Sequence, residues 1–173
     1  MRQKIEFFDY AGEILKALPG GILLTTKSGD RLNAMTIGWG ILGVEWGLPL
    51  FTAFVRESRY TRHLLDENPE FTVNVPYGPV DREILRVCGT KSGRDVDKFA
   101  ALGLTPAAPE QITVPGIRQL PLTLECRVIY RQHQPEELLP PAQLAKFYPQ
   151  GPDGARDLHV AYYGQVVSAY LLD

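Results

Sequence analysis

The chain has 173 residues, 45% of them hydrophobic and 22% charged, with a formal net charge of −2 at pH 7. That balance suits one globular domain over residues 1–173 with a core of its own, and the longest apolar runs fall far short of the roughly 18 residues that cross a bilayer. A nearly neutral chain has no general attraction for nucleic acid or an anionic membrane, so any anion has to be held locally.

In chain order, Met1-Arg2-Gln3-Lys4 runs into the acidic, broken stretch Ile5–Asp9, unlike a secretion signal, and a cytoplasmic location is expected. An amphipathic lead-in around Ile14, Leu15 and Leu18 ends at the turn Pro19-Gly20-Gly21. Ile22–Thr26 reads as a strand, Lys27–Asp30 as a tight turn and Leu32–Trp39 as the returning strand of a hairpin. Gly43–Pro49 reads as a connection and Leu50–Val55 as a third strand. A helix over Ser58–Asn68, with Ser58 as its cap, stops before Pro69, and Glu70–Val75 gives a fourth strand. Val80–Cys88 is expected to be helical. So is Asp95–Leu102, capped by Asp95 and closed by Gly103.

Pro106–Pro115 is irregular. After it, Leu122, Leu124, Cys126, Val128 and Tyr130 alternate with mostly polar neighbours, the mark of a half-buried antiparallel strand. Gln134–Gly154 is loop-rich with a short helical piece near Leu144–Phe147, and His159–Leu172 reads as a last long strand. Hairpins interrupted by helices that do not alternate regularly predict a mainly β fold with helices, an antiparallel barrel rather than a doubly wound sheet.

Some motifs are refused. Gly38-Trp39-Gly40-Ile41-Leu42-Gly43 fits GxGxxG in letters, but Val44–Pro49 offers no helical face for a pyrophosphate to meet. Gly89-Thr90-Lys91-Ser92-Gly93 lacks the phosphate-loop spacing. His63, His133 and His159 show no metal-ligand spacing, no serine sits in GxSxG, and no metal is expected. Cys88 and Cys126, flanked by apolar residues, read as buried free thiols, with a disulfide or nucleophile as the lesser alternatives.

Arg56-Glu57-Ser58-Arg59-Tyr60-Thr61-Arg62 places three arginines at the positive end of a helix, where each cation costs about 0.3–1 kcal/mol. A bound phosphate would reverse that sign, accepting from free N–H groups, hydroxyls and guanidinium forks. The alternative is a solvated face with Arg62 paired to Asp66. Lys91-Ser92-Gly93-Arg94-Asp95 repeats the recipe, and two such turns can converge on one phosphate. Asn33-Ala34-Met35-Thr36 adds short polar groups in mid-strand that would suit a flat polar heterocycle, although Met35 also fits a core position.

Taken together, NAMTIGWG (33–40), FTAFVRESRYT (51–61), EFTVNVP (70–76) and CGTKSGRDVDKF (88–99) resemble the flavin reductase-like, FMN-binding split-barrel family, in particular its flavoredoxin branch. The resemblance implies a Greek-key split barrel, a homodimer and FMN at the subunit interface. It also implies that Asn33, Ala34, Met35 and Thr36 line the isoalloxazine and ribityl side. Arg56, Ser58, Arg59 and Thr61, with Lys91 and Ser92, are expected to hold the phosphate, and Tyr60 lies within the same motif. Ile37-Gly38 before Trp39 departs from the family, where many relatives carry a serine. The implied activity is an oxidoreductase passing electrons from NAD(P)H or a redox partner protein through FMN, with no side chain assigned as catalytic. The rival readings are a flavin electron carrier without NAD(P)H turnover and a module binding a phosphate ligand or nucleic acid.

Overall fold

The structure, a computed structural model, describes residues 2–173. Chain order begins with a short strand β1 (Arg2–Lys4), helix α1 (Ala11–Ala17) and the hairpin β2 (Ile22–Ser28) and β3 (Arg31–Ile37). A second hairpin follows, β4 (Gly40–Glu45) and β5 (Leu48–Arg56), then α2 (Tyr60–Glu67) and β6 (Glu70–Val75). Next come α3 (Arg82–Thr90), α4 (Lys98–Leu102) and the two-residue strands β7 (Pro106–Ala107) and β8 (Gly116–Ile117). Long strand β9 (Leu122–His133), α5 (Pro141–Phe147) and β10 (His159–Leu172) complete the chain.

The main sheet runs β3-β2-β6-β9-β10-β5-β4, with β1 added alongside the end of β10. All of its pairings are antiparallel, and the path does not close: β3 and β4 are its ends. This is the expected split barrel, opened rather than sealed. β10 joins its halves, pairing with β9 through two register shifts and with β5 over His159–Gln165.

Period-two alternation in the first hairpin divides its side chains between two cores. Ile22, Leu24, Met35 and Ile37 face the barrel interior with Phe51, Phe71, Leu124 and Tyr162. Leu23 and Ala34 face outward, under Ile84 and Cys88 of α3 and Phe99 of α4. That outer layer fixes the loop between α3 and α4 over the outer face of β3. Cys88 and Cys126 are free and buried, as expected.

Several boundaries differ from expectation. Residues 43–49 are not merely a connection: they contain half of β4, the first residues of β5 and a tight turn between them, Trp46 (φ 53°) and Gly47 (φ 72°). Two successive left-handed residues make the two-residue hairpin turn whose twist matches the strands. The usual Asn-Gly or Asp-Gly signal is replaced here by Trp-Gly, so the turn was hidden. Helix α2 begins at Tyr60 with Arg59 at its N-cap, whose guanidinium has no acceptor to offer the helix amides, and the Ser58 hydroxyl donates to Asp157 instead. Asp97, not Asp95, caps α4, accepting from the Ala100 amide at 3.0 Å, and Gly103 closes it in the left-handed conformation as expected. In β9 the polar face is covered at its start and solvated beyond it: Thr123 and Glu125 are fully buried, Glu125 accepting from the amides of Glu110 and Gln111 at 2.7 Å each, while Arg127 and Arg131 are exposed.

No helix among the described residues is long and apolar enough to cross a membrane.

Candidate functional site

β5 runs out at Arg56, and the chain turns through Glu57, Ser58 and Arg59 into α2. α3 ends at Thr90, and a second turn leads to α4. Both turns flank β3, and a cavity of about 260 Å³ opens between them. Asn33, Met35, Arg56, Ser58, Arg59, Tyr60, Thr61, Lys91 and Ser92 all line it, so the two basic turns do meet. Thr36 lies in an adjoining cavity of about 170 Å³, which shares Met35, Arg56 and Arg59 with the first and adds Trp39, Phe54 and His159. Ala34 lines neither. It is fully buried, and its carbonyl is what the site uses.

The donors fall into two groups. Arg56 and Ser58 are engaged: the guanidinium donates to the carbonyls of Asp157 (2.8 Å) and Phe147 (2.9 Å). The Ser58 amide and hydroxyl both donate to the Asp157 carboxylate, at 2.9 and 2.7 Å. Among the described residues the Arg59 guanidinium makes one long hydrogen bond, 3.3 Å, to the Gly89 carbonyl. Lys91 pairs with no carboxylate among the described residues, and the Ser92 hydroxyl accepts from the Arg94 amide at 3.2 Å. Arg62 stands aside from the cavity, 3.5 Å from Asp66, the solvated pairing considered for it.

Lys98 was not foreseen. It is 4% exposed, yet its ammonium lines the cavity, donating to the carbonyls of Ala34 (2.8 Å) and Cys88 (3.1 Å). No carboxylate pairs with it among the described residues, and burial lowers its pKa. A buried cation without a counter-ion is expensive, and a bound anion relieves that cost. One sequence signal existed: Lys98 precedes Leu102 by four residues and so shares the apolar face of α4.

Arg94, in the quoted turn but without an assigned role, also lines the cavity; it donates to the Ser58 carbonyl at 3.2 Å and lies over the Tyr60 ring. Its neighbour Gly93 is required for space: a Cβ there would lie 2.2 Å from Asn33 Oδ1 and 2.8 Å from Tyr60 Cδ1. Asn33 is 3% exposed, and its amide donates to the Thr61 hydroxyl at 3.0 Å. Among the described residues its buried Oδ1 has no partner, an acceptor left for a ligand's N–H or O–H.

At the adjoining cavity, the Tyr148 hydroxyl and His159 Nδ1 are 2.7 Å apart, both side chains buried. Burial, with Arg56 beside it, lowers the His159 pKa to about 4, so the ring is neutral at pH 7. Burial raises the Tyr148 pKa. Both groups are therefore neutral at pH 7, and the direction of the bond between them follows the imidazole tautomer. Trp39 packs against both His159 (5.1 Å) and Phe147 (5.0 Å). Beyond Trp39 a third, apolar cavity of about 470 Å³ is walled by Leu18, Phe54, Leu139, Pro140 and Phe147.

This donor set fits a phosphorylated flat heterocycle. The cations surround one cavity for the ester, and the second cavity offers Met35, Trp39 and a neutral histidine to a ring. Either cavity alone is smaller than the roughly 300 Å³ at which ligand pockets begin, whereas the adjoining pair exceeds it. No cluster of metal-ligating side chains occurs among the described residues.

Comparison with known proteins gives the same direction. The chain is 32% identical over 100 residues to an uncharacterized protein of Archaeoglobus fulgidus, covering 58% of this chain and 55% of that protein. It thus spans little more than half of that relative's length. A flavoredoxin from Methanosarcina acetivorans superposes with a TM-score of 0.64 at 25% identity, over 88% of this chain and 68% of that one. An FMN-binding domain of a flavin reductase-like enzyme from Shewanella baltica gives 0.65 at 16% identity, over 99% and 77%. The profile of the flavin reductase like domain matches residues 15–173, nearly the whole chain, with every residue of the cavities inside it. The chain belongs to the flavin reductase-like domain family.

Proposed function

We propose that this chain binds FMN and acts as a flavin reductase-like oxidoreductase, passing electrons from NAD(P)H or a protein donor to an acceptor. One observation carries the reading: two basic turns, remote in sequence, border a single cavity over a buried lysine that has no counter-ion. Arg59, Lys91, Ser92, Arg94 and Lys98 would hold the phosphate. Asn33 Oδ1 and the walls of the second cavity, Met35, Thr36 and Trp39, would meet the ribityl chain and ring. Bound flavin supplies the redox chemistry, accepting two electrons as a hydride equivalent and passing them on. The protein's own contribution is placement and electrostatics. His159, neutral at pH 7, places an uncharged imidazole beside the ring.

A homodimer is part of this reading. Ile41, Val44 and Trp46, on edge strand β4 and its turn, are exposed, and Trp46 continues into a row of rings with Tyr130 and Tyr163. The ring row of Trp46, Tyr130 and Tyr163, with Ile41 in register with Tyr163 through Thr52, suits a second copy of the chain, while Val44 faces the other side of the sheet.

The test is anaerobic stopped-flow mixing of the FMN-loaded protein with NADH and with NADPH, following flavin absorbance. Bleaching by either nucleotide supports the reductase. If neither reduces the bound flavin, the chain is an electron carrier supplied by another protein, and a chain that takes up no flavin at all refutes both.

A further inference from the structure

The cavity already contains an anion, and it belongs to the protein. Asp157, in the segment between α5 and β10, extends its carboxylate to Ser58 and takes both the amide and the hydroxyl, at 2.9 and 2.7 Å. A carboxylate accepting from a backbone N–H and a hydroxyl at a strand-to-helix turn occupies the place of two phosphate oxygens. The same segment is tied down on either side. Arg56 holds the Asp157 and Phe147 carbonyls, the Glu57 amide donates to the Leu158 carbonyl at 2.9 Å, and Arg156 pairs with Glu136 at 2.9 Å.

Building on the flavin reading above, we propose that residues 148–158 form a strap whose Asp157 competes with the ligand's phosphate for Ser58. Asp157 then determines how strongly the site prefers a phosphorylated ligand to the same ligand without its ester. Two anions cannot share the Ser58 donors, and a dianion beside an ionised carboxylate is repelled. Phosphate either displaces the strap and gains the Ser58 donors, or binds only through Arg59, Lys91, Arg94 and Lys98 with Asp157 opposing it. In both cases the carboxylate weakens phosphate binding and leaves an uncharged ligand untouched. The strap also carries Tyr148, the partner of His159 and part of the wall of the third, apolar cavity.

The experiment compares wild type with Asp157→Ala and Asp157→Asn, measuring affinity for FMN, riboflavin and inorganic phosphate by calorimetry. The alanine variant removes the carboxylate, while the asparagine variant keeps the side chain's length and an acceptor but removes the charge, guarding against a collapsed loop. Both are expected to bind FMN about tenfold or more tighter than wild type, phosphate likewise, and riboflavin within about threefold. FMN and phosphate affinities that stay equal or fall in both variants overturn the proposal. If wild type takes up phosphate but neither flavin, the flavin reading fails on its own, and the phosphate comparison still decides the role of Asp157.

Discussion

The Tyr148 hydroxyl and His159 Nδ1 share a buried hydrogen bond of 2.7 Å, with the two rings edge to face at 80°. The bond is made by a neutral imidazole, whose pKa burial has lowered to about 4 from an ordinary 6.5. Between those values the unfolded chain takes up a proton that the folded chain refuses. Stability from this group is therefore complete above about pH 6.5, declines as the pH falls toward 4, and loses no more below that. The full effect is on the order of 3 kcal/mol. Urea unfolding of wild type and His159→Gln from pH 7 to 4 is expected to show a shallower decline for the variant. Equal slopes would place the acid sensitivity elsewhere.

Two glycines separate space from flexibility. Gly93 has no room for a Cβ, with Asn33 and Tyr60 against it, while Gly43 in β4 has no atom within 4 Å of that position. Gly93→Ala should cost about 1–3 kcal/mol through overpacking and abolish FMN binding by pushing Asn33 into the cavity. Gly43→Ala should be neutral or stabilise by a few tenths of a kcal/mol. Thermal melts with and without FMN check both, and a Gly93→Ala protein that binds FMN normally would place the ligand elsewhere.

Much of this arrangement could be read from the chain. The alternation in Leu122–Tyr130, the apolar run His159–Leu172 and the basic turns at 56–62 and 91–95 each carry a local signal. The convergence of those turns needed the fold, because the outer packing of α3 and α4 on β3 brings Lys91 to Arg59. Asp157 was illegible for the same reason: it meets Ser58 across 99 positions, and nothing near Asp157 announces a partner. Strand β4 was missed because its turn is Trp46-Gly47 rather than a common hairpin pair. Assigning Ser58 as a helix cap failed because the N-cap position falls one residue later, at Arg59, and the Ser58 hydroxyl is turned to the Asp157 carboxylate, to which it donates.

Lys98 provides a sharper test than any surface cation. Lys98→Met removes a buried charge, which favours folding, and leaves the carbonyls of Ala34 and Cys88 without their donor, which opposes it. These terms offset each other to within about 2 kcal/mol. FMN binding has no such compensation and should weaken by about ten- to a hundredfold, with riboflavin spared. Calorimetric titration with both flavins measures this. A variant that binds FMN as well as wild type would show that the ammonium is structural only.

The central claim is that the two basic turns close on one phosphate, and Arg59 with Lys91, one from each turn, tests it most directly. In the double variant Arg59→Ala, Lys91→Ala, FMN affinity should fall by about a hundredfold or more, as expected for two charge-assisted contacts at roughly 1.5–3 kcal/mol each. Riboflavin affinity should change by no more than a few-fold. Parallel losses for the two flavins, or no loss for either, would contradict the account.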